Sequence, residues 1–342
     1  MALPPLPQTM RQLLQPSLTS PTLILTTAPI PTSGPDEALI RISACSPCKD
    51  ELIWALNPAS PAASGKEAVP CLDFAGTVVS APAGSEFAAG DHVFGAIDPS
   101  RAGAAREFAV VKTGELARLP GRMGWDEAAA TPLSALTAWQ AVFVQGGLEV
   151  GGLKGRVDDE EGARERNRGK RVLVTGAAGG VGSWAVQFAA LAGARVVGVC
   201  GAGKEGIVRE LGAGEVVDYT RTSVEEWVAE DKGSEVDLVV DCVGGKALEG
   251  AWRAVKDGGS IVSVYCEPET VRPAGLEKVL SKSLFFILET SGAQLGEIAK
   301  LLEAGKARPL VDSVWPLDEF EKAFERLDSG RARGKVVIKI RD

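Results

Sequence analysis

Apolar positions follow two rhythms along this chain, and the change of rhythm divides it. Up to about residue 130 they come in short runs broken by Pro and Gly, at 23–27, 37–44, 76–80, 91–96 and 107–112. Such runs between turn residues predict the strands of an irregular antiparallel barrel. From 126 to 145 the spacing turns helical. Residues 146–170 are charged and rich in glycine, which predicts a solvated loop that buries little apolar surface. Beyond it, strands and helices alternate. Strands are expected at 171–175, 194–200, 215–218, 236–241, 260–264 and 283–288. Helices are expected at 183–191, 205–211, 223–230 and 246–255. This alternation predicts a doubly wound parallel sheet. Two amphipathic helices (294–304 and 317–328) and a last strand (335–340) close the chain.

The densest signal lies in residues 171–200, a strand, a glycine turn, a helix and a second strand. The turn from Gly176 through Ala178, Gly179 and Gly180 to Gly182 crowds four glycines before the helix. Glycine lets backbone approach a pyrophosphate closely, and the helix start presents N–H groups to its charge. In the G-x-G-x-x-G pattern, Ala177 stands at the first glycine, while Gly179 and Gly182 fill the others. The layout is that of a dinucleotide-binding unit. An NAD site places Asp or Glu at the end of the second strand. That position here reads Cys200, Gly201, Ala202, Gly203, Lys204. A missing carboxylate and a nearby cation favour the 2′-phosphate of NADPH. The alternative is an ordinary crossover closed by glycines, with Lys204 a solvated lysine.

Charge and cysteine content narrow the remaining classes. The 342 residues suit two domains, and a net charge of −8 argues against nucleic acid or an anionic membrane surface as partner. No apolar run reaches the ~18 residues of a membrane span. Six cysteines in a chain of this length read as free thiols in a reducing compartment, so a cytoplasmic location is expected.

The order of motifs resembles the medium-chain dehydrogenase/reductase superfamily, in its zinc-free quinone oxidoreductase-like and enoyl reductase-like branch. The carriers are VPCLDFAGTV (69–78), GDHVFG (90–95), TPLSALTAWQAV (131–142), VLVTGAAGGVG (172–182), VDLVVDCVGG (236–245), KDGGSIVSV (256–264) and RGKVVIKI (333–340). The resemblance implies a GroES-like barrel domain of residues 1–132 and 293–342, a Rossmann domain of 133–292, and an active-site cleft. It places Gly179, Gly180 and Val181 under the pyrophosphate and Thr137 near the nicotinamide. Lys204 and Tyr219 match positions that contact the 2′-phosphate. Val243 and Gly244 pass the adenosine and ribose, Tyr265 faces the nicotinamide end, and Arg333 lies near the cofactor. Relatives often pair edge strands of two Rossmann sheets, and the apolar run 283–288 suits a homodimer.

Zinc-dependent members use a Cys, a His from a GHE motif and a third Cys or Asp. Cys48 matches the first, but the second place reads Cys71-Leu72-Asp73 and the third falls near Leu133. His92, the single histidine, belongs to the GDHVFG turn, and Cys45 and Cys48 lack a second pair. No metal is expected. Without Lewis acidity the reaction class is hydride transfer from NADPH to a quinone or an α,β-unsaturated carbonyl. The segment Ser46-Pro47-Cys48-Lys49-Asp50-Glu51 replaces the N-P-x-D of many relatives, and residues 51–75 lack the tyrosine of mitochondrial-type enoyl reductases. Lys49, Tyr265 and Cys48 are the candidate proton donors, and Trp54 and Phe94 the candidate pocket residues. The alternatives are a trans-acting enoyl reductase of a biosynthetic pathway and a non-enzymatic NADPH sensor.

Overall fold

The computed structural model describes residues 6–18, 20–151, 160–230 and 232–341. In chain order its elements are β1 (Thr9–Leu14), β2 (Ile24–Pro29), β3 (Glu37–Ser46), β4 (Asp73–Ser80), β5 (His92–Ala96), β6 (Phe108–Lys112), β7 (Leu116–Arg118), α1 (Trp125–Ala129), α2 (Pro132–Trp139), α3 (Glu160–Arg168), β8 (Arg171–Val174), α4 (Gly180–Leu191), β9 (Arg195–Cys200), α5 (Glu205–Glu210), β10 (Glu215–Asp218), α6 (Val224–Glu230), β11 (Val236–Asp241), α7 (Gly245–Ala254), β12 (Val255–Ser263), β13 (Lys282–Phe285), α8 (Gly292–Glu303), β14 (Val311–Pro316), α9 (Phe320–Asp328) and β15 (Lys335–Lys339).

These elements form two compact units. One runs to Leu133 and takes in Glu289–Glu303 and the chain from Pro309 onward; the other holds Ser134–Leu288 and Ala304–Arg308. The division differs slightly from the expected breaks after 132 and 292. Arg308 belongs to the second unit because its N–H donates to Gln187 Oε1 (2.9 Å) while Gln187 Nε2 donates to its carbonyl (3.0 Å). Gly292 belongs to the first because α8 starts hard against β7, where a Cβ would lie 2.3 Å from the Leu116 carbonyl oxygen.

In the first unit a seven-stranded sheet runs β14-β15-β3-β4-β5-β7, with β6 also on β3, and β1 pairs with β2 as a two-stranded sheet. Its pairs are antiparallel except β14 with β15. The core is aliphatic, with Leu13, Ile40, Ile42, Phe74, Val93 and Ile338 fully enclosed. Phe94, a candidate pocket residue, is itself core at 0% exposure.

The second unit carries a six-stranded parallel sheet in the order β10-β9-β8-β11-β12-β13. Its central strands are Val- and Leu-rich runs because parallel strands are covered on both faces. Leu173, Val197, Val239, Trp252 and Ile261 form the core. Chain order reverses between β8 and β11, and that switch point opens a crevice at the strands' carboxyl ends.

One expectation is refined and one corrected. The helical stretch expected over 126–145 is divided into α1, α2 and a π-helical turn (Gln140–Gln145), whose last carbonyl accepts from Lys282 Nζ (2.8 Å). The charged loop expected over 146–170 is helical from Glu160 to Arg168, and residues 152–159 lie outside the described set. Helix α3 is docked rather than solvated. Asn167 is 2% exposed, accepts from Glu149 N–H (3.1 Å), and donates to the carbonyls of Glu149 and Ala192 (2.9 Å each).

Candidate active site

Strand β8 leads into a turn that only glycine backbone can make. Gly176 is left-handed (φ 61°), and a Cβ on Gly182 would fall 2.2 Å from the Gly176 carbonyl oxygen. Gly179 caps α4 without a side-chain hydrogen bond. The first-turn amides of α4, from Gly180, Val181 and Gly182, have no intrahelical acceptor by helix geometry. Ala178 is buried beneath them. The cradle fits a pyrophosphate: glycine at the contact points, amides facing outward, and the positive end of a helix behind.

The next two strands end beside this cradle. Cys200 closes β9, and its carbonyl accepts from Tyr219 N–H (3.1 Å) just beyond β10. Burial pushes the Cys200 thiol up to about 11, so it stays neutral. The Tyr219 hydroxyl would lie 2.9 Å from a Cβ on Gly201, so the phenol covers the turn that leads to Lys204. Lys204 sits at the start of α5, and Tyr219 is exposed. On the far side of the switch point, Val243 is exposed and Gly244 is left-handed (φ 73°). A Cβ there would meet Tyr265 Cδ1 at 2.3 Å, so the Tyr265 ring lies across Gly244. The expected cofactor residues of β8–β12 thus lie together at the carboxyl ends of the parallel strands. Thr137 is buried within α2 of the same unit, whereas Arg333 is an exposed residue of the first unit.

The first unit holds the residues expected where relatives bind zinc. Sequence reading missed the decisive one. Lys335 is 5% exposed, and its Nζ lies 2.9 Å from Asp73 Oδ2. The same ammonium donates to the Pro47 carbonyl (2.9 Å) and to Cys48 Sγ (3.4 Å). Asp73 Oδ1 accepts from Leu133 N–H (2.5 Å). Burial alone would depress the lysine, but the Asp73 carboxylate outweighs it and holds the ammonium charged. Burial also pushes the Cys48 thiol up to about 12, with Lys335 only partly opposing. A neutral thiol, an apolar Leu72 and Leu133, and a fixed cation do not fit a divalent metal. Glu51 braces the locus by accepting from the N–H groups of Cys48 (2.8 Å) and Cys71 (2.7 Å). Cys71 itself is left-handed (φ 69°).

Of the candidate proton donors, Cys48 is enclosed and weakly acidic, which disfavours proton donation near neutral pH. Lys49 is exposed beside it, and Tyr265 stands at the crevice of the second unit. Trp54 lines a small cavity of the first unit with Gln15, Glu51 and Lys66.

The comparisons with known proteins agree with this architecture. Residues 34–132 match the alcohol dehydrogenase GroES-like domain, and 211–338 match the zinc-binding dehydrogenase family. The chain belongs to the medium-chain dehydrogenase/reductase superfamily, in its quinone oxidoreductase-like branch. It is 48% identical, over 93% of each chain, to a probable mitochondrial zinc-binding oxidoreductase of Arthroderma benhamiae. It is 32% identical to the mitochondrial NAD(P)H oxidoreductase RTN4IP1 of Danio rerio, over 74% of this chain and 67% of that one. It is also 32% identical to a 2-methylene-furan-3-one reductase of Solanum lycopersicum, over 90% and 73%. The protein is therefore an oxidoreductase of this type. The expected cytoplasmic location is overturned, since the first two relatives are named mitochondrial. Unpaired thiols require only a reducing compartment, and the cytoplasm is not the sole one. Among the described residues, no helix is long and apolar enough to cross a membrane.

Proposed function

We propose that the protein is an NADPH-dependent, metal-independent reductase that passes a hydride to a quinone or an α,β-unsaturated carbonyl. The observation that supports this reading is the Lys335 ammonium held between Cys48 and Asp73, a fixed positive charge that opposes a Lewis acid at that place. Acceptors that need no metal then remain. A quinone gains aromaticity on reduction, and an enone accepts hydride at its β-carbon. The name of the tomato relative, an enone reductase, supports the second acceptor.

The chemistry supplied by a bound nicotinamide is donation of hydride, two electrons with one proton. The chain supplies binding and orientation. The Gly176–Gly182 cradle and the α4 amides hold the pyrophosphate. Lys204, with Tyr219 beside it, takes the 2′-phosphate, and no carboxylate at the end of β9 repels it. Tyr265, whose ring lies across Gly244, borders the nicotinamide half, and its hydroxyl is the proposed donor of the proton that completes reduction, with Lys49 as the second candidate. A homodimer built on β13 and a mitochondrial address complete the proposal.

The test is coenzyme oxidation against 9,10-phenanthrenequinone, 1,4-benzoquinone, a simple enone and an enoyl thioester, with and without a chelator. Chelator-insensitive NADPH oxidation with a quinone or enone is expected. Turnover confined to the thioester would favour a trans-acting enoyl reductase, and NADPH binding without turnover a sensor. Lys204→Ala should raise KM for NADPH by about tenfold and leave NADH nearly unchanged, as the loss of one charge-assisted contact predicts. Equal changes for both coenzymes would remove the 2′-phosphate assignment.

A further inference from the structure

Asp241 ends β11 at the switch point of the parallel sheet, with 0% exposure. Its carboxylate accepts from groups at the ends of two neighbouring strands and of its own. Thr175 Oγ1, beyond β8, donates to Oδ1 at 2.7 Å. Ser263 Oγ, the last residue of β12, donates to Oδ2 at 2.8 Å. The N–H of Gly244 reaches both oxygens (3.2 and 3.1 Å), and that of Val243 reaches Oδ1 at 3.3 Å. The two hydroxyls then pass the order outward. Thr175 Oγ1 accepts from Cys242 N–H (2.9 Å), and Ser263 Oγ accepts from the N–H groups of Tyr265 (3.1 Å) and Cys266 (3.3 Å).

All four donors to this carboxylate are neutral, and a buried carboxylate among neutral donors is costly to desolvate. An asparagine would avoid the charge but offers a single acceptor oxygen. Only a carboxylate can hold Thr175, Ser263 and both amides at once. The segments it holds are those that flank the crevice: the glycine turn after β8, Val243 and Gly244 after β11, and Tyr265 after β12. General experience with open α/β sheets puts the ligand in that crevice.

We infer that Asp241 is the positioning residue for the nicotinamide half of the coenzyme, acting through Gly244 and Tyr265 without touching it. This rests on the coenzyme reading above. The adenosine 2′-phosphate end is held on the other side of the switch point, by residues after β9 and β10, and should not depend on Asp241.

The test compares Asp241→Asn with wild type by fluorescence titration and calorimetry, using NADPH, NADH and the half-ligand adenosine 2′-monophosphate, which lacks the 5′-phosphate that the glycine turn would hold. Loss of the second acceptor should weaken NADPH and NADH alike, by about tenfold or more. Binding of the monophosphate should stay within about twofold, which a generally loosened fold would not allow. Unchanged NADPH affinity in the folded variant, or equal losses for NADPH and the monophosphate, would overturn the inference. Should Asp241→Asn fail to fold, Ser263→Ala is read by the same three ligands and the same criteria. Failure of wild type to bind any of the three would instead overturn the coenzyme reading, and this inference with it.

Discussion

Lys335 keeps its charge at a place that water scarcely reaches, because Asp73, Pro47 and Cys48 together replace its hydration shell. Removing one partner from a buried pair strands the other. Lys335→Met should cost about 3–5 kcal/mol in urea unfolding, since Asp73 would remain buried without a cation; a cost below ~1 kcal/mol would show the pair to be incidental. The pair was not legible in the chain. Lys335 reads there as one residue of a closing β-run, and Cys48 lies 287 positions away. What could be read was the absence of metal ligands at Leu72 and Leu133, not the cation that stands in their midst. Tyr265 and Gly244 were legible individually. The carboxylate of Asp241 that orders them was not, because in sequence it is only the polar end of a buried strand.

At the level of elements, legibility followed periodicity. Strands β10 and β11 fall where the apolar runs put them, since a strand covered on both faces needs a continuous run. Helix α3 defeats that logic. It is mostly charged, and the buried Asn167, with Ala163 beside it, holds it where an apolar stripe would. Asn167→Ala should lower stability by about 1–3 kcal/mol, because the carbonyls of Glu149 and Ala192 would lose their donor. A variant melting with wild type would return α3 to the status of a solvated appendage. Strand β14 was missed for a related reason: its pattern is half exposed throughout, and an ion pair fastens it to α9. Arg326 donates twice to Asp312, at 2.7 Å each, and Arg333 N–H adds a third bond at 2.9 Å. The hydrogen bonds from Arg326 hold the Asp312 carboxyl below the usual carboxylate range. A depressed folded value means that the stabilisation is present above the unfolded value and is lost as pH falls through the folded one. Asp312→Asn should therefore be less stable than wild type at pH 7 by about 1–3 kcal/mol, with the gap closing below about pH 4. A gap that persisted to pH 2 would assign the loss to packing instead.

For the molecule as a whole, β13 is the open edge of the parallel sheet. Its side chains are half-buried, and Ile287 beyond it is exposed. An apolar edge left bare invites pairing with another chain. Light scattering at micromolar concentration should give about twice the 35.7 kDa mass of one chain. Leu284→Lys should shift it toward monomer while leaving coenzyme affinity unchanged. A sharp monomer mass for wild type would remove the dimer.

The ammonium of Lys335 also bears on descent. If the proposed metal-independent reading holds, this chain differs from zinc-binding members of the superfamily by more than a missing ligand. Placing histidine at Leu72 alone would bring a metal ion against a fixed positive charge. Neutralising Lys335 alone would leave Asp73 buried and unpaired. Each single step back is opposed, and only a concerted change at both positions escapes. On the proposed metal-independent reading the lysine thus acts as a ratchet: single substitutions at Leu72 or Lys335 are each opposed by the charge they leave uncompensated.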